Sequence, residues 1–300
     1  MSMLDDARLF REEAARHAQT LPRALPDLPT GTYEARDAGL GAPVRDLMVY
    51  RPTDGPALPG VFVNLHGGGF VLGDWHDDDP YCRLLADASG CAVINVEYAL
   101  APENPFPAAV HQVHDLLVWL EKHAVVHGLD PTRIAVGGHS AGGNLAAACA
   151  LLARRTGGPQ LRGLVVDYAP LDLATPPADK LTDATRRAPG AVELAEIGAR
   201  FNAWYLHDED PSDELASPLL AADLTGLPPT LVLTAERDLL RDEGDRFAAR
   251  LRAAGVPTEH VVFDGCDHAF THFGPEAQAL AAWRRMAAFV RRVLVEEATP

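Results

Sequence analysis

Ser140 stands in Gly138-His139-Ser140-Ala141-Gly142-Gly143, a G-x-S-x-G arrangement suited to a serine raised on a sharp strand-to-helix turn. Glycines are needed two residues before and after it, because side chains there would collide in so tight a turn. A serine hydroxyl is a weak nucleophile until a base takes its proton, and the base needs a third group to orient it. Asp238 and His268 each lie shortly after a β-branched run, and with Ser140 they keep the chain order serine, acid, histidine. Asp242 and Asp267 compete with Asp238, but Asp242 falls inside a helical pattern and Asp267 flanks the base itself. Twelve histidines make a chance match easy, and the position after the last strand singles out His268. A second signal is Leu65-His66-Gly67-Gly68-Gly69-Phe70, whose glycines leave bare backbone N–H groups to meet negative charge on a carbonyl oxygen. As a phosphate loop the stretch fails, lacking the lysine and Ser/Thr of that motif and the G-x-G-x-x-G spacing. The chemistry these residues could do together is nucleophilic attack on a carbonyl.

Short β-branched runs alternate with helical patterns along the chain. The runs are 61–65, 91–96, 133–136, 164–166, 230–234 and 260–263, and several are continuously apolar, as strands buried on both faces should be. Segments 33–40 and 44–50, joined by a Gly-Ala-Pro turn, read as an antiparallel edge hairpin and bring the strand count to eight. Helical patterns occupy 106–127, 141–155, 241–254 and 276–295. The alternation predicts an α/β fold built on a mostly parallel eight-stranded sheet, with the chemistry at the strands' carboxyl ends. Two stretches fall outside it: residues 1–30, a helical start followed by a proline-rich run, and residues 172–217. The second is too long for a plain loop and reads as a cover over the site. Its aromatics Phe201, Trp204 and Tyr205 either wall a pocket or pack the insertion onto the core.

Composition narrows the classes. The 300 residues carry 47% hydrophobic and 23% charged side chains, ordinary for a globular chain able to bury its own core. A formal net charge of −16 repels phosphate backbones and anionic lipid, which argues against nucleic-acid and membrane partners. No apolar run approaches the roughly 20 residues that span a bilayer, and the start lacks the basic and apolar regions of a secretory signal. Cys82, Cys91, Cys149 and Cys266 form neither a C-x-x-C pair nor a zinc set, so a reduced, cytoplasmic protein is expected. No cofactor or metal is expected. The acidic stretch Asp74, Asp77, Asp78, Asp79 lacks calcium-loop spacing and reads as a loop or helix cap.

Taken in order, these motifs resemble the hormone-sensitive-lipase-like family of α/β-hydrolases, the bacterial family IV carboxylesterases. The resemblance rests on His66-Gly67-Gly68-Gly69-Phe70, on Tyr98-Ala99-Leu100-Ala101-Pro102-Glu103 with Phe106-Pro107, and on Gly138 to Gly143 continued by Asn144-Leu145-Ala146. Further matches are Ala216-Ser217-Pro218-Leu219, Leu227-Pro228-Pro229 and Asp238-Leu239-Leu240-Arg241-Asp242-Glu243-Gly244, so the motifs span residues 61–270. It implies Ser140, Asp238 and His268 as catalytic triad, and the amides of Gly68, Gly69 and Ala141 as oxyanion hole. It also implies one α/β-hydrolase domain over residues 1–300, capped by 1–30 and 172–217. Two departures stand out: His139 where the family usually has an acid, and Ala99 where an arginine is common. The expected activity is hydrolysis of small, uncharged, short- to medium-chain carboxylic esters through an acyl-enzyme. Phe70, Phe201, Trp204, Tyr205 and Phe270 are expected at the substrate. Amide, formamide or lactone hydrolysis by the same triad is the alternative. A non-catalytic receptor on this fold is a remote one, since related plant hormone receptors have lost the base. A homodimer is left open.

Overall fold

The computed structural model describes residues 2–18, 22–28, 47–183, 185–187 and 190–296. Strands β1 (Leu47–Tyr50), β2 (Val61–Leu65), β3 (Ala92–Val96), β4 (Ile134–His139), β5 (Leu161–Asp167), β6 (Thr230–Ala235) and β7 (Thr258–Phe263) form one sheet. Their order is β1-β3-β2-β4-β5-β6-β7. Among the described residues β1 lies at the edge and runs antiparallel to β3, and every other pairing is parallel. Seven strands are thus seen among the described residues. The expected segment 33–40 and the joining turn lie outside them.

The side-chain period of two splits the sheet's residues between two cores. Val61, Val63 and Leu65 of β2 join one cluster, as do Ile94 of β3, Val136 of β4 and Val166 of β5. Helices α3 (Ala108–His123), α4 (Ala141–Thr156) and α6 (Arg241–Ala253) supply the rest of that layer. Phe62, Val93, Ala135, Val165 and Leu231 point the other way, onto α2 (Trp75–Ser89) and α8 (Glu276–Leu294). Covering both faces is what lets the parallel strands be apolar throughout. The helical pattern 106–127 closes with a tighter turn, Ala124–His127, which ends at Gly128 in the left-handed region (φ 66°).

Three further helices shape the upper edge: α1 (Met3–Ala18), α5 (Ala191–Leu206) and the single turn α7 (Phe270–Phe273). Arg11 of α1 donates to the carbonyls of Val71 and Ala101 and forms a two-pronged pair with Glu103, fastening that helix beside the glycine loop. Within α5, Arg200 lies 4.8 Å over the rings of both Phe10 and Trp204 and pairs with Asp6, which joins the insertion to α1. Deeper in, Lys180 and Glu243 form a buried ion pair at 2.6 Å. The other Glu243 oxygen accepts the amides of Leu171 and Asp172, so the insertion's first turn is bound to α6.

Candidate active site

Ser140 joins β4 to α4 with φ 50° and ψ −119°, a positive φ that a non-glycine residue adopts only under constraint. The surroundings explain both flanking glycines. A Cβ on Gly138 or on Gly142 would overlap the Leu65 carbonyl oxygen of the neighbouring strand end. The Ser140 amide donates to the Asp167 carbonyl at 2.8 Å, and the Gly143 and Asn144 amides return to the Ser140 carbonyl. The turn is therefore held from both sides.

The Ser140 hydroxyl lies 3.0 Å from His268 Nε2, and His268 Nδ1 lies 2.7 Å from Asp238 Oδ2. Because a carboxylate can only accept, Nδ1 carries the proton toward Asp238, which leaves Nε2 to accept from the serine. Asp238 follows β6 and is fixed by its own turn, accepting the Leu240 amide at 3.0 Å. Burial works against charge on His268, but the Asp238 carboxylate, by charge and by hydrogen bond, and Asp167 outweigh it and raise its pKa above the ordinary 6.5.

The loop after β2 supplies the facing wall. Gly68 (φ 115°) and Gly69 (φ 61°) turn in a way that admits no side chain: a Cβ on Gly68 would meet the Leu72 carbonyl, and one on Gly69 the Phe201 ring. Tyr98 anchors this loop by donating to the His66 carbonyl at 2.9 Å and by stacking on the His66 ring at 4.2 Å. Among the described residues, none of the amides of Gly68, Gly69 and Ala141 donates to another protein group. Ala141 opens α4, where the helix dipole adds to the attraction for negative charge.

A cavity of about 760 Å³ opens over Ser140 and His268. The five aromatics expected there divide. Phe70 and Phe201 line it. Trp204, Tyr205 and Phe270 do not: Tyr205 stacks on Phe70 at 3.8 Å, Trp204 packs on Phe10 at 5.5 Å, and Phe270 packs on Phe263 at 4.8 Å. Those three bury almost all their area and belong to the packing of cap and core. Much of the apolar wall is instead leucine, including Leu100, Leu173, Leu194 and Leu239, which sequence patterning did not single out.

Sequence reading also missed a buried polar cluster behind the serine. Asp74 and Asp77 do cap α2, with the expected reciprocal hydrogen bonds. Asp78 is different. Its carboxylate lies 2.8 Å from His272 Nε2 and 3.7 Å from His139 Nε2, and it accepts from Asn64 at 2.7 Å. His139 in turn reaches Asp167 through Nδ1 at 2.9 Å. Burial opposes charge on His139, while Asp78 and Asp167 together raise its pKa. Burial likewise opposes ionisation of Asp78, but the two imidazoles and Asn64 prevail and hold its carboxyl well below the usual range. His139 had been noted as a departure from an acid; its partners at 78, 167 and 272 carry no spacing signal.

A Ser-His-Asp chain beside unpartnered amides, at the carboxyl edge of a parallel sheet, defines a serine hydrolase. A family profile described as alpha/beta hydrolase fold matches residues 62–272. The chain belongs to that family, in its hormone-sensitive-lipase-like branch. It is 38% identical over 287 residues to the carboxylesterase NlhH of Mycobacterium tuberculosis, covering 92% of this chain and 86% of that one. To the arylesterase of Saccharolobus solfataricus it is 36% identical over 266 residues, covering 87% and 84%. Among solved structures it superposes on the Pyrobaculum calidifontis esterase with a TM-score of 0.81 at 36% identity, covering 97% of this chain and 93% of that one. With the metagenomic carboxylesterase EstE1 the TM-score is 0.80 at 33% identity, covering 99% of each chain.

Proposed function

We propose that this protein is a serine carboxylesterase that hydrolyses short- to medium-chain carboxylic esters through an acyl-enzyme. The observation that carries the reading is the hydrogen-bonded chain from Ser140 through His268 to Asp238, opening into a cavity lined largely by apolar side chains. Ser140 attacks the ester carbonyl while His268 Nε2 takes its proton. The carbonyl oxygen becomes an oxyanion held by the amides of Gly68, Gly69 and Ala141. Collapse expels the alkoxide, which receives the proton from His268, and water activated by the same imidazole releases the acid. Asp238 keeps the imidazole in the tautomer this sequence needs. Residues 1–30 and 172–217 act as the cap of the one domain; Arg11, Leu173, Leu194 and Phe201, all on the cavity wall, support that role.

The relatives named as carboxylesterase and arylesterase favour an ester over an amide or lactone. No helix of the described residues is long and apolar enough to cross a membrane. All four cysteines are free and buried, which supports the cytoplasm as its compartment, with small esters rather than nucleic acid or lipid as partners. A homodimer is an expectation that sedimentation velocity would check. The experiment for the activity is a series of nitrophenyl esters and anilides offered to the unmodified enzyme and to Ser140→Ala. Ester turnover should fall on the order of 10⁴–10⁶-fold in the variant. Retention of more than a tenth of the rate, with contaminating esterase excluded, would remove Ser140 as the nucleophile.

A further inference from the structure

We infer that Asp78, His139 and His272 form a binding site for one divalent transition-metal ion of the zinc class, set behind the nucleophile turn and separate from the ester chemistry. One ligand atom from each of the three residues lies within 4.8 Å of the other two, and all three residues are buried. Each oxygen of the Asp78 carboxylate faces one imidazole: Oδ1 lies 2.8 Å from His272 Nε2, and Oδ2 lies 3.7 Å from His139 Nε2. Zinc bound at about 2.0–2.2 Å to nitrogen and oxygen needs ligand atoms roughly 3.3 Å apart in a tetrahedron. The two carboxylate–imidazole separations come within about half an ångström of that spacing, and the three donors together lie within 4.8 Å of one another.

Three further observations point to a ligand. First, His139 Nε2 is fully buried and has no hydrogen-bond partner, although it points at the carboxylate. A buried imidazole nitrogen without a hydrogen-bond partner is costly, and once it gives up its proton that nitrogen is a metal donor. Second, the outward nitrogens of both histidines are already held. His139 Nδ1 meets Asp167 Oδ2 at 2.9 Å, and His272 Nδ1 meets Thr271 Oγ1 at 2.9 Å and the Tyr168 hydroxyl at 3.1 Å. This is the outer layer that orients metal-bound histidines; His272 Nε2 carries a proton toward the Asp78 carboxylate, which only accepts, and a bound ion would take that proton's place. Asn64 likewise holds the liganding carboxylate. Third, Asp78 and Asp167 set two buried carboxylates against His139, and a dication would balance them in place of the protons on the imidazoles.

The donor set decides the class of ion. Two imidazoles and one carboxylate suit zinc, nickel, cobalt or copper, while magnesium and calcium prefer oxygen throughout. All three residues line the cavity above Ser140, so water can complete a fourth position. The ion would clip three elements together: α2 through Asp78, the end of β4 through His139, and α7 through His272. It would stabilise the turn that carries Ser140 without touching the ester. The sequence led to an expectation of no metal, and ligands at 78, 139 and 272 leave no local pattern to read.

The test is calorimetric titration of chelator-treated, full-length enzyme with zinc chloride, beside Asp78→Asn, His139→Asn and His272→Gln. One equivalent should bind the unmodified protein and raise its Tm by roughly 5 °C at a hundredfold excess over Kd. The three ligand variants should lose that equivalent. Asp167→Asn, which disturbs only the outer layer, should weaken it about 10–100-fold. Should the ligand variants fail to fold, X-ray absorption on the zinc-loaded unmodified protein answers instead. A shell of nitrogen and oxygen at about 2.0–2.1 Å with scattering from two imidazoles supports the site. No stoichiometric binding, an equivalent that a folded His272→Gln retains, or a shell without two imidazoles overturns it.

Discussion

Asp238 contributes to the His268 imidazole a charge and a hydrogen bond at 2.7 Å, and both favour the protonated ring. The base works only when neutral, so kcat/KM should rise with pH through the pKa of His268 in the free enzyme. Because that pKa is raised from 6.5, the acid limb should lie on the alkaline side of an ordinary histidine's. Asp238→Asn removes the largest effect raising the pKa, so the limb should move to lower pH. The maximal rate should fall on the order of 10⁴-fold, since asparagine no longer enforces the tautomer. A pH–rate profile of both forms checks this, and a limb that stays put in the variant would deny Asp238 the role of orienting the base. Residues of this kind were readable because the turn around Ser140 imposes a local spacing, and because Asp238 and His268 close strands that patterning had located. His272 and Asp167 answer to no such constraint. They meet Asp78 and His139 only through the packing of α2 and α7 against the sheet, which the linear chain does not display.

Among the elements, the insertion 172–217 was legible as a cover that could not be a plain loop, yet the duties of the aromatics on its helix α5 were not. Phe201, Trp204 and Tyr205 stand at i, i+3 and i+4 of that helix, on one face about 100° wide, so their spacing alone does not say which of them meets the cavity. Phe201 lies over Gly69 and meets the cavity; Trp204 and Tyr205 are taken up by Phe10 and Phe70. Phe201→Ala should therefore shift the acyl optimum toward longer or bulkier groups. Trp204→Ala should cost about 3–5 kcal/mol, read from urea unfolding, and leave the acyl profile in place. If the two variants exchange these outcomes, the assignment of wall and packing is reversed. The same insertion depends on Lys180 and Glu243. Glu243→Gln would leave the Lys180 ammonium buried without its countercharge, and breaking a buried pair from one side costs about 3–5 kcal/mol. A loss under 1 kcal/mol in the same unfolding experiment would show that the insertion is held by its apolar contacts alone. The alternation of strand and helix was plain because a sheet covered on both faces requires continuous apolar runs. The edge was less so: the antiparallel pairing of β1 with β3 left no local pattern, and the other arm of the expected hairpin, 33–40, lies outside the described residues.

At the scale of the whole molecule, substrate size is set where every layer meets. The cavity of about 760 Å³ is walled by α1, the glycine loop, the insertion and the loops after β6 and β7, and it must hold acyl and leaving groups together. That volume falls within the roughly 300–1,000 Å³ usual for small-molecule sites. Each added methylene gains only about 1–3 kcal/mol, and only while there is room for it. The kcat/KM should therefore climb through the short acyl chains, peak at about four to eight carbons by the family likeness, and fall beyond. The decline follows from the walls being fastened: Arg11 ties α1 to Val71, Ala101 and Glu103, and Arg200 ties α5 to Asp6, so neither cap segment can swing aside without breaking charged contacts. A chain of sixteen carbons would have to open those contacts or leave its tail in water. Nitrophenyl esters from acetate to palmitate, assayed below their micellar concentrations, give the profile directly. If palmitate proves the best substrate, the cap opens far more readily than these contacts imply, and the volume of the closed cavity does not govern selectivity.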